Sequence, residues 1–540
     1  MVALVFALAS ALAGGMNLWP RRAVPYLTDE GAYLLQARTF AQLRLTLPAP
    51  ALPEFFETAQ VLVTPRYQAK YPPGHALALA PFAALGVAWL WPLLAFGGCA
   101  ALVYLAVRQL GASPLLAAFG AALFATSTIN LAMLPSYLSH CTSTLAGLGA
   151  LLLTARAARL RTARAAALAG SFAALAFLAR PYPGLACFAA AALVLVRAGA
   201  GRRALLGLAA SLLACVALSA AFDAATTGSW SLPPWTLYAA QYTPFDGPGV
   251  GPVHPLPPAR PLPAHLRPLF EEYQRSRLAY GWSKLFAQVP ARLAELIQLL
   301  PLRAVAVLAL LAPAVALAPQ ATFAWTWLLV LFALQLSFHA SLPQYFLDEY
   351  APLVVLVAAG LHAALAGRQR AARVLGALVA VQLAFFSTLY EGGVFAAACL
   401  IALGLALAAT ALRRELPQGW PDAALRGLAA ALAAAACVQM PFSAARSRVV
   451  WERGNEVRLR FAARMEELRN RRALVFVRGT PAELVQLAII DAEPDPRPLL
   501  AVDLGARDAE LIALHPDREP LLFEVGSGSL TRLGRAPPIR

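Results

Sequence analysis

The sequence predicts a polytopic α-helical membrane protein with about 13 transmembrane helices and a small C-terminal α/β domain. Of its 540 residues, 60% are hydrophobic and only 13% are charged, a balance that soluble domains do not have. Ala- and Leu-rich runs long enough to cross about 30 Å of hydrocarbon recur along most of the chain. Only residues 441–540 alternate short apolar runs with charged turns, as a water-soluble domain does.

The apolar runs define the membrane helices in chain order, each bounded by polar or turn-forming residues. The predicted spans lie near 2–19, 84–107, 115–133, 141–158, 165–179, 183–197, 204–222, 302–318, 322–338, 351–366, 373–389, 393–412 and 427–440. Two long polar segments interrupt them and form outer loops, residues 20–83 and residues 223–295. Residues 1–440 therefore make up the membrane domain.

The distribution of arginine predicts the topology. Short loops that carry several arginines alternate with the loops 134–140, 339–350 and 390–392, which contain neither Lys nor Arg. This is the positive-inside pattern, and it places the N-terminus in the cytoplasm. An odd number of spans then places the C-terminal domain in the periplasm of a bacterial inner membrane. The net charge of +16 is thus a topology signal, so we expect a lipid bilayer partner and no nucleic acid.

The C-terminal segment reads as an α/β layer. Three stretches predict strands, "ALVFVRG", "PLLAVDLG" and "PLLFEV", and two predict helices, "PAELVQLAII" and "RDAELIALHP". The charged run "WERGNEVRLRFAARMEELRNRR" before them either lies along the membrane surface or packs on the domain. No glycine-rich phosphate fingerprint follows a strand, so we predict no nucleotide cofactor.

The first outer loop carries the strongest chemical signal. Thr28 followed by Asp29 and Glu30 predicts a helix start with acids in its first turn. Capping and the helix dipole alone would favour acids there. Later in the same loop, "RYQAKYPPGH" brings cationic candidates, Arg66, Lys70 and His75, so that an acid and several cations share one compact loop.

Lys70 stands out because the chain has 44 basic residues and only two of them, Lys70 and Lys284, are lysines. A lysine ammonium is a compact point charge on a flexible stem, and phosphate is one ligand that uses it. A chance survival of two lysines is the alternative reading.

Further candidates lie beyond this loop. Arg180 ends an apolar helix before "PYPG"; an arginine at the bilayer centre costs about 2.5–3.5 kcal/mol, so it needs a partner or contact with water. Snorkelling to a headgroup explains Arg180 equally well. Asp348 and Glu349 are expected in a solvated loop, with a second acidic element of the site as the alternative, and His140 is expected to be structural. The candidates for lining a site are Tyr33, His75, His339 and Tyr345.

These stretches resemble the GT-C superfamily of membrane glycosyltransferases, in the branch of protein O-mannosyltransferases and bacterial lipid A aminoarabinose transferases. The resemblance covers roughly residues 20–370. It rests on "DEGAYLLQA", "KYPPGHALALAPF", "ALAGSFAALAFLARPYPGL" and "SLPQYFLDEYAPLVVLVAAGL". It implies transfer of a sugar from a polyprenyl-phosphate donor, such as undecaprenyl phosphate, to an acceptor hydroxyl of a glycan, lipid or protein.

The resemblance also implies roles for individual residues. Asp29 matches the general base of the first outer loop, with Glu30 beside it as a second catalytic candidate. Lys70 matches the lysine that contacts the donor phosphate. The other phosphate-binding candidates are Arg66, Tyr71 and Arg180, and the other site-lining candidates are Tyr33, His75, His339 and Tyr345.

Metal chemistry is not expected. Asp29 and Glu30 are adjacent, which departs from the Asp-x-Asp motif of metal-dependent branches. The six cysteines lie in or beside the predicted spans without metal-like spacing. We therefore predict an enzyme that has neither a metal nor an organic cofactor.

Two other function classes stay open, a flippase or transporter for lipid-linked sugars and a non-enzymatic assembly partner. Carriers tend to place polar residues and broken helices near the membrane midplane, often in related halves of the chain. Here the spans 141–158 and 393–412 are nearly free of charge, and no internal repeat is visible. An assembly partner would tolerate replacement of Asp29.

Overall fold

The computed structural model describes residues 1–21, 23–251, 257–298, 318–340, 342–367, 455–487 and 498–534. Within them the chain forms a bundle of apolar helices, an outer layer made from the two loops, and a C-terminal sheet. The predicted spans 373–389, 393–412 and 427–440 lie outside the described residues, as does all but the last residue of 302–318.

The described helices confirm the membrane character. Four of them are long and apolar enough to cross a membrane: Leu90–Gln109, His140–Leu160, Arg202–Thr227 and Gln344–Ala363. Shorter apolar helices accompany them, at Val2–Leu18, Pro114–Thr126, Ala163–Ala179 and Pro181–Arg197. The count of 13 spans stays a prediction.

The helices up to residue 298 are numbered in chain order. They are α1 (Val2–Arg21), α2 (Thr28–Ala41), α3 (Pro73–Ala84), α4 (Leu90–Gln109), α5 (Pro114–Thr126), α6 (Thr128–Met133), α7 (His140–Leu160), α8 (Ala163–Ala179), α9 (Pro181–Arg197), α10 (Arg202–Thr227), α11 (Pro234–Tyr242), α12 (Arg267–Leu278) and α13 (Trp282–Gln298). The membrane part continues with the helices Pro319–Gln335 and Leu347–Gly367.

Two predicted spans have different boundaries in the structure. The predicted span 84–107 begins only at Leu90, because Gly86 adopts a left-handed conformation with a φ of 74° that ends α3 first. The predicted span 115–133 is divided at Ser127, whose hydroxyl accepts a hydrogen bond from the Asn130 amide and starts α6.

Glycines allow the membrane helices to pack closely. A Cβ atom on Gly207 of α10 would lie 2.3 Å from the Ala163 carbonyl oxygen of α8. A Cβ atom on Gly184 of α9 would lie 2.2 Å from the Phe177 Cα of α8. Backbones that approach this closely are typical of helix pairs in membranes, and here they fix both ends of α8 against its neighbours.

The first outer loop folds into α2, a small antiparallel sheet and α3. The sheet has the order β1-β3-β2, with β1 Leu47–Pro48, β2 Val61–Leu62 and β3 Arg66–Ala69. Lys70 follows β3 directly, and its amide donates to the Gln60 carbonyl at 3.0 Å. The position of Lys70 is therefore set by the end of a strand that is paired on both sides.

The C-terminal segment forms a four-stranded sheet of order β5-β4-β6-β7. Its strands are β4 (Ala473–Arg478), β5 (Leu499–Val502), β6 (Glu519–Glu524) and β7 (Ser529–Arg532), with helices at Pro481–Leu487 and Asp508–Leu514. Strands β5, β4 and β6 are parallel and form in the three segments predicted as strands; β7, which the sequence analysis did not predict, pairs antiparallel with β6.

Both faces of this sheet are covered. The helix 455–467 packs on one face, where Phe461 meets Val475 and Phe523. The described part of the charged run, from residue 455, therefore packs on the domain, the second of its two predicted locations. On the other face, Phe476 packs edge-on against Phe55 of the first outer loop, with ring centroids 6.1 Å apart. The sheet thus supports the loop that carries Asp29 and Lys70.

Candidate active site

Asp29 lies in the first turn of α2, where its carboxylate faces the 68–75 segment. The side chain is partly buried, and the Tyr71 hydroxyl donates a hydrogen bond to its Oδ1. Burial raises the pKa of Asp29, while the positive charges of Lys70 and Arg180 act in the opposite direction. A carboxylate with a raised pKa next to two cations is suited to accept a proton.

Glu30, its neighbour, has a different environment. It is 1% exposed, and its Oε1 accepts from the backbone amides of Tyr26 at 3.2 Å and Leu27 at 3.3 Å. Its Oε2 accepts from the Tyr137 amide at 3.1 Å. This carboxylate joins the start of α2 to the turn before α7 and so holds Asp29 in place.

Lys70 presents its ammonium group to aromatic rings. Its Nζ lies 4.8 Å from the ring centroid of Tyr238 and 5.7 Å from that of Tyr71, contacts that stabilise a cation. Burial lowers the pKa of Lys70, and Asp246 and Asp29 oppose this change. Within the described parts of the chain, Lys70 has no ion pair with a carboxylate, so the ammonium can receive an anion from outside the chain.

Tyr238 reaches Lys70 because the two outer loops are joined by buried polar contacts. The Tyr238 hydroxyl accepts from the Gln60 amide at 3.0 Å. The guanidinium of Arg260 binds the buried Glu57 carboxylate, with its Nη2 3.0 Å from Oε1. These contacts fix the second outer loop over the first, and with it the aromatic wall around the ammonium group.

Arg66 lies away from these residues. It is exposed at the start of β3, and Lys70 follows the end of that strand. At about 3.3 Å per residue, the two positions are about 13 Å apart along the chain. The structure does not bring Arg66 beside Lys70.

Tyr71, Tyr33 and His75 form an aromatic cluster that contacts Asp29 through the Tyr71 hydroxyl. The rings of Tyr33 and Tyr71 are stacked with centroids 4.4 Å apart, and the His75 ring meets Tyr33 edge-on at 4.9 Å. His75 is fully buried, and its Nε2 donates to the Tyr137 carbonyl at 2.9 Å. Its Nδ1 lies 2.7 Å from the Thr142 hydroxyl, so both ring nitrogens are occupied and His75 supports the cluster.

Arg180 joins this group from the junction of α8 and α9. Its Nη1 donates to the Ser139 hydroxyl oxygen at 3.3 Å, and the Tyr33 hydroxyl donates to the same oxygen at 2.8 Å. Its Nε lies 3.0 Å from Oδ2 of Asp348. Arg180 therefore has protein partners, which disfavours free snorkelling to a headgroup.

The expectation that Asp348 and Glu349 lie in a solvated loop is wrong. Both are fully buried, in the first turn of the helix Leu347–Gly367. Asp348 Oδ2 also lies 2.7 Å from Nδ1 of His140. The acids in "FLDEY" begin a buried helix, and the ion pair with Arg180 compensates the charge of Asp348.

Gly74 connects the lysine segment to Arg180. A Cβ atom on Gly74 would lie 2.6 Å from the Leu178 carbonyl carbon and 2.7 Å from the Ala179 nitrogen. Pro73 takes the first position of α3, where its fixed φ favours a helix start. The beginning of α3 therefore lies directly on the end of α8, two residues before Arg180.

Replacing Gly74 with Ala is expected to destabilise the protein, because the clash is with backbone atoms that cannot rotate away. Overpacking of this kind costs about 1–3 kcal/mol. Thermal unfolding in detergent measures the loss. Gly15→Ala is the matched control, because nothing lies within 4 Å of a Cβ atom there; equal melting temperatures of the two variants would contradict the close approach.

The second outer loop contributes residues that the sequence analysis missed. Oδ1 of Asp246 lies 3.4 Å from Nε2 of His339, whose Nδ1 is 3.1 Å from the Ser276 hydroxyl. Tyr273 of α12 has its pKa raised to about 12 by burial and by the negative charges of Asp29 and Asp246. The single acid in the aromatic stretch "YTPFDGPG" was the available signal for Asp246.

Tyr345 lies in the turn before the helix Leu347–Gly367. Its ring meets Phe338 edge-on, with centroids 5.8 Å apart, and its carbonyl accepts from Gln335 Nε2 at 2.7 Å. His339, which contacts Asp246, follows Phe338 directly. His339 and Tyr345 therefore lie in neighbouring stretches, residues 338–340 and 342–346, and His339 contacts the second outer loop.

Metal ligands do not gather in the described ranges, where no three His, Cys, Asp or Glu side chains could hold a metal ion together. The absence of a metal requirement stays a prediction.

The fold and the position of these residues define a helical membrane protein whose polar site lies on loops at one end of the bundle. Comparison with solved structures shows that this chain shares its fold with membrane proteins of known structure. No protein-family model matches the sequence, and no curated protein matches it.

Two of the solved structures that this chain resembles are of one protein, ArnT, and a third is of an arabinosyltransferase. The chain is similar to ArnT from Cupriavidus metallidurans in the apo state, with a TM-score of 0.51 and 14% identity over 96% of this chain and 88% of that chain. The same protein bound to undecaprenyl phosphate gives a TM-score of 0.50 and 14% identity over 97% and 90% of the two chains. Arabinosyltransferase EmbB from Mycobacterium smegmatis gives 0.46 and 16% identity over 84% of this chain and 41% of that chain.

Proposed function

We propose that this protein is an integral-membrane glycosyltransferase. It moves a sugar from a polyprenyl-phosphate donor to an acceptor hydroxyl on the periplasmic face of a bacterial inner membrane. The observation that carries the proposal is the pairing of Asp29 with Lys70 through Tyr71, which hydrogen-bonds to the carboxylate and lies below the ammonium group. The shared fold with ArnT, which has been solved with undecaprenyl phosphate bound, supports the donor class.

Lys70 and Arg180 receive the donor phosphate in this proposal. Lys70 has aromatic neighbours and no direct ion pair with a carboxylate among the described residues, so a phosphate would supply a direct ion-pair partner. The positive charge of Arg180 also acts on Asp29 and lowers the pKa of its carboxyl group. Two cations aimed at the departing phosphate stabilise the negative charge that develops as the glycosidic bond breaks.

Asp29 is the general base. As the acceptor oxygen attacks the anomeric carbon, its proton passes to the Asp29 carboxylate and a new carbon–oxygen bond forms. The bond between the anomeric carbon and the phosphate oxygen breaks, and its electron pair leaves with the polyprenyl phosphate. One direct displacement inverts the anomeric configuration, and neither a metal nor an organic cofactor is needed to balance the reaction.

The other candidates take supporting places. Glu30 anchors the start of α2. Tyr33 stacks on Tyr71, and His75 packs edge-on against Tyr33. His339 and Tyr345 line the donor side together with Asp246. The acceptor is a glycan, a lipid or a protein.

The pH dependence of kcat/KM should be bell-shaped and narrower than free side chains would give. Asp29 must be ionised, and burial raises its pKa above the ordinary 3.8, so activity is lost as the pH falls through that raised value. Lys70 must be protonated, and burial lowers its pKa below the ordinary 10.5, so activity is lost as the pH rises through that lowered value.

A pH–rate profile of the wild type and of Lys70→Arg checks this. An arginine stays protonated throughout, so the basic limb should move to higher pH in the variant while the acid limb stays. If the basic limb is unchanged in Lys70→Arg, the loss of activity at high pH does not come from deprotonation of Lys70.

The donor panel tests the function itself. Purified protein in lipid vesicles receives polyprenyl phosphates that carry different sugars, and released polyprenyl phosphate is measured with each acceptor class. Consumption of one donor is expected, and Glu271→Gln, an exposed acid on α12, serves as the unchanged control. Tight binding of polyprenyl phosphate with no donor consumed would favour the flippase or assembly-partner function.

A further inference from the structure

We propose that Asp348 is a positioning residue, which holds the guanidinium of Arg180 in the orientation that meets the donor phosphate. This inference rests on the proposed glycosyltransferase function. Asp348 itself is 0% exposed and does not reach the site, whereas the Arg180 side chain is 25% exposed. Asp348 would therefore act through Arg180 and not on the substrate.

Three contacts place the Asp348 carboxylate. Its Oδ2 lies 3.0 Å from the Arg180 Nε and 2.7 Å from the His140 Nδ1. Its Oδ1 accepts from the Thr144 hydroxyl at 3.3 Å. Because a carboxylate only accepts, His140 carries its proton on Nδ1. Two of these partners come from the first turns of α7, so the carboxylate is held to a membrane helix independently of Arg180.

Two residues contact the guanidinium of Arg180. Asp348 contacts its Nε, and Ser139 accepts from its Nη1 at 3.3 Å. An arginine side chain otherwise has many rotamers, and fixing it in advance removes that entropy cost from the transfer step. A guanidinium that is already oriented toward the phosphate would lower the barrier to sugar transfer more than one that must first change rotamer.

The charges around Asp348 indicate that this buried carboxylate serves to position Arg180. A buried carboxylate costs several kcal/mol unless it is paired, and a hydrophobic group of similar size would often be as stable. Charged residues inside membrane helices mark functional sites by default. Among these partners of Asp348, Arg180 is the one whose positive charge also affects the pKa of Asp29.

A double-mutant cycle tests this inference. It uses wild type, Arg180→Ala, Asp348→Asn and the double variant, and measures both sugar transfer and the affinity for undecaprenyl phosphate. We expect Asp348→Asn to slow transfer by about 10–100-fold, and the double variant to be no slower than Arg180→Ala. Affinity should fall in Arg180→Ala but not in Asp348→Asn, because the latter removes a negative charge from beside the cation.

A merely structural Asp348 gives the opposite pattern. Transfer losses would then multiply in the double variant, and Asp348→Asn would weaken undecaprenyl phosphate binding as well, which overturns the inference. If Asp348→Asn does not fold, Thr144→Val takes its place: it removes one hydrogen bond to Asp348 without changing charge. A smaller loss of transfer that disappears in the Arg180→Ala background supports the inference, and a loss that persists there overturns it.

The two proposals fail in different ways. A wild type that binds undecaprenyl phosphate but transfers no sugar overturns the proposed function, while the binding arm of the cycle still tests whether Asp348→Asn weakens binding, the result that overturns the role of Asp348. A wild type that transfers sugar but shows independent losses in the cycle overturns only the role of Asp348. A wild type that does not bind undecaprenyl phosphate overturns both.

Discussion

Asp29→Asn is expected to reduce sugar transfer by about 10²–10⁴-fold, the contribution of a general base, while leaving donor binding intact. Asparagine has nearly the same shape and its carbonyl oxygen can still accept from the Tyr71 hydroxyl. It cannot take a proton from the acceptor. Loss of the negative charge beside Lys70 would, if anything, strengthen the binding of the phosphate.

Initial rates of polyprenyl phosphate release, measured beside the affinity for undecaprenyl phosphate, separate the two effects. Glu271→Gln is the matched control, because it makes the same chemical change at an exposed acid of α12. If Asp29→Asn transfers sugar at the wild-type rate, the base assignment fails. If it loses affinity together with rate, Asp29 maintains the loop structure instead.

Lys70→Ala is expected to lose both binding and transfer. Hydrogen bonds to charged groups contribute about 1.5–3 kcal/mol, so affinity for undecaprenyl phosphate should fall roughly 10–150-fold. The rate at saturating donor should fall further, because the ammonium stabilises charge that increases in the transition state. Alanine also removes the cation between the Tyr71 and Tyr238 rings.

The chain supplies its own control, since Lys284 is its other lysine and is exposed on α13. Lys284→Ala should bind and transfer as the wild type does. Lys70→Arg should recover part of the affinity, because the charge returns in a larger planar group. Equal affinities in Lys70→Ala and Lys284→Ala would show that the phosphate binds elsewhere.

The sequence predicted local features well. A helix start with Asp29 in its first turn and strands in the C-terminal segment depend on neighbouring residues, and the structure contains both. Boundaries were less certain where one residue decides them, as Gly86 does at the end of α3.

Contacts between distant segments could not be predicted from one sequence. Asp348 contacts His140 and Arg180 only because the helix Leu347–Gly367 packs beside α7 and the end of α8. Asp246 contacts His339, which lies 93 positions further along the chain. The residue types of "FLDEY" are compatible with both a buried ion pair and a solvated loop. Only the residues that pack against Asp348 in the fold decide between the two.

The central claim is that Asp29 and Lys70 act together on a polyprenyl-phosphate sugar. The measurement that tests it most directly is single-turnover transfer with the donor that the panel identifies, in wild type, Asp29→Asn and Lys70→Ala side by side, with donor binding recorded in the same samples. The account predicts one polyprenyl phosphate released per sugar transferred by the wild type, bound but unconsumed donor in Asp29→Asn, and weakly bound donor in Lys70→Ala. Transfer that persists unchanged in both variants would contradict it.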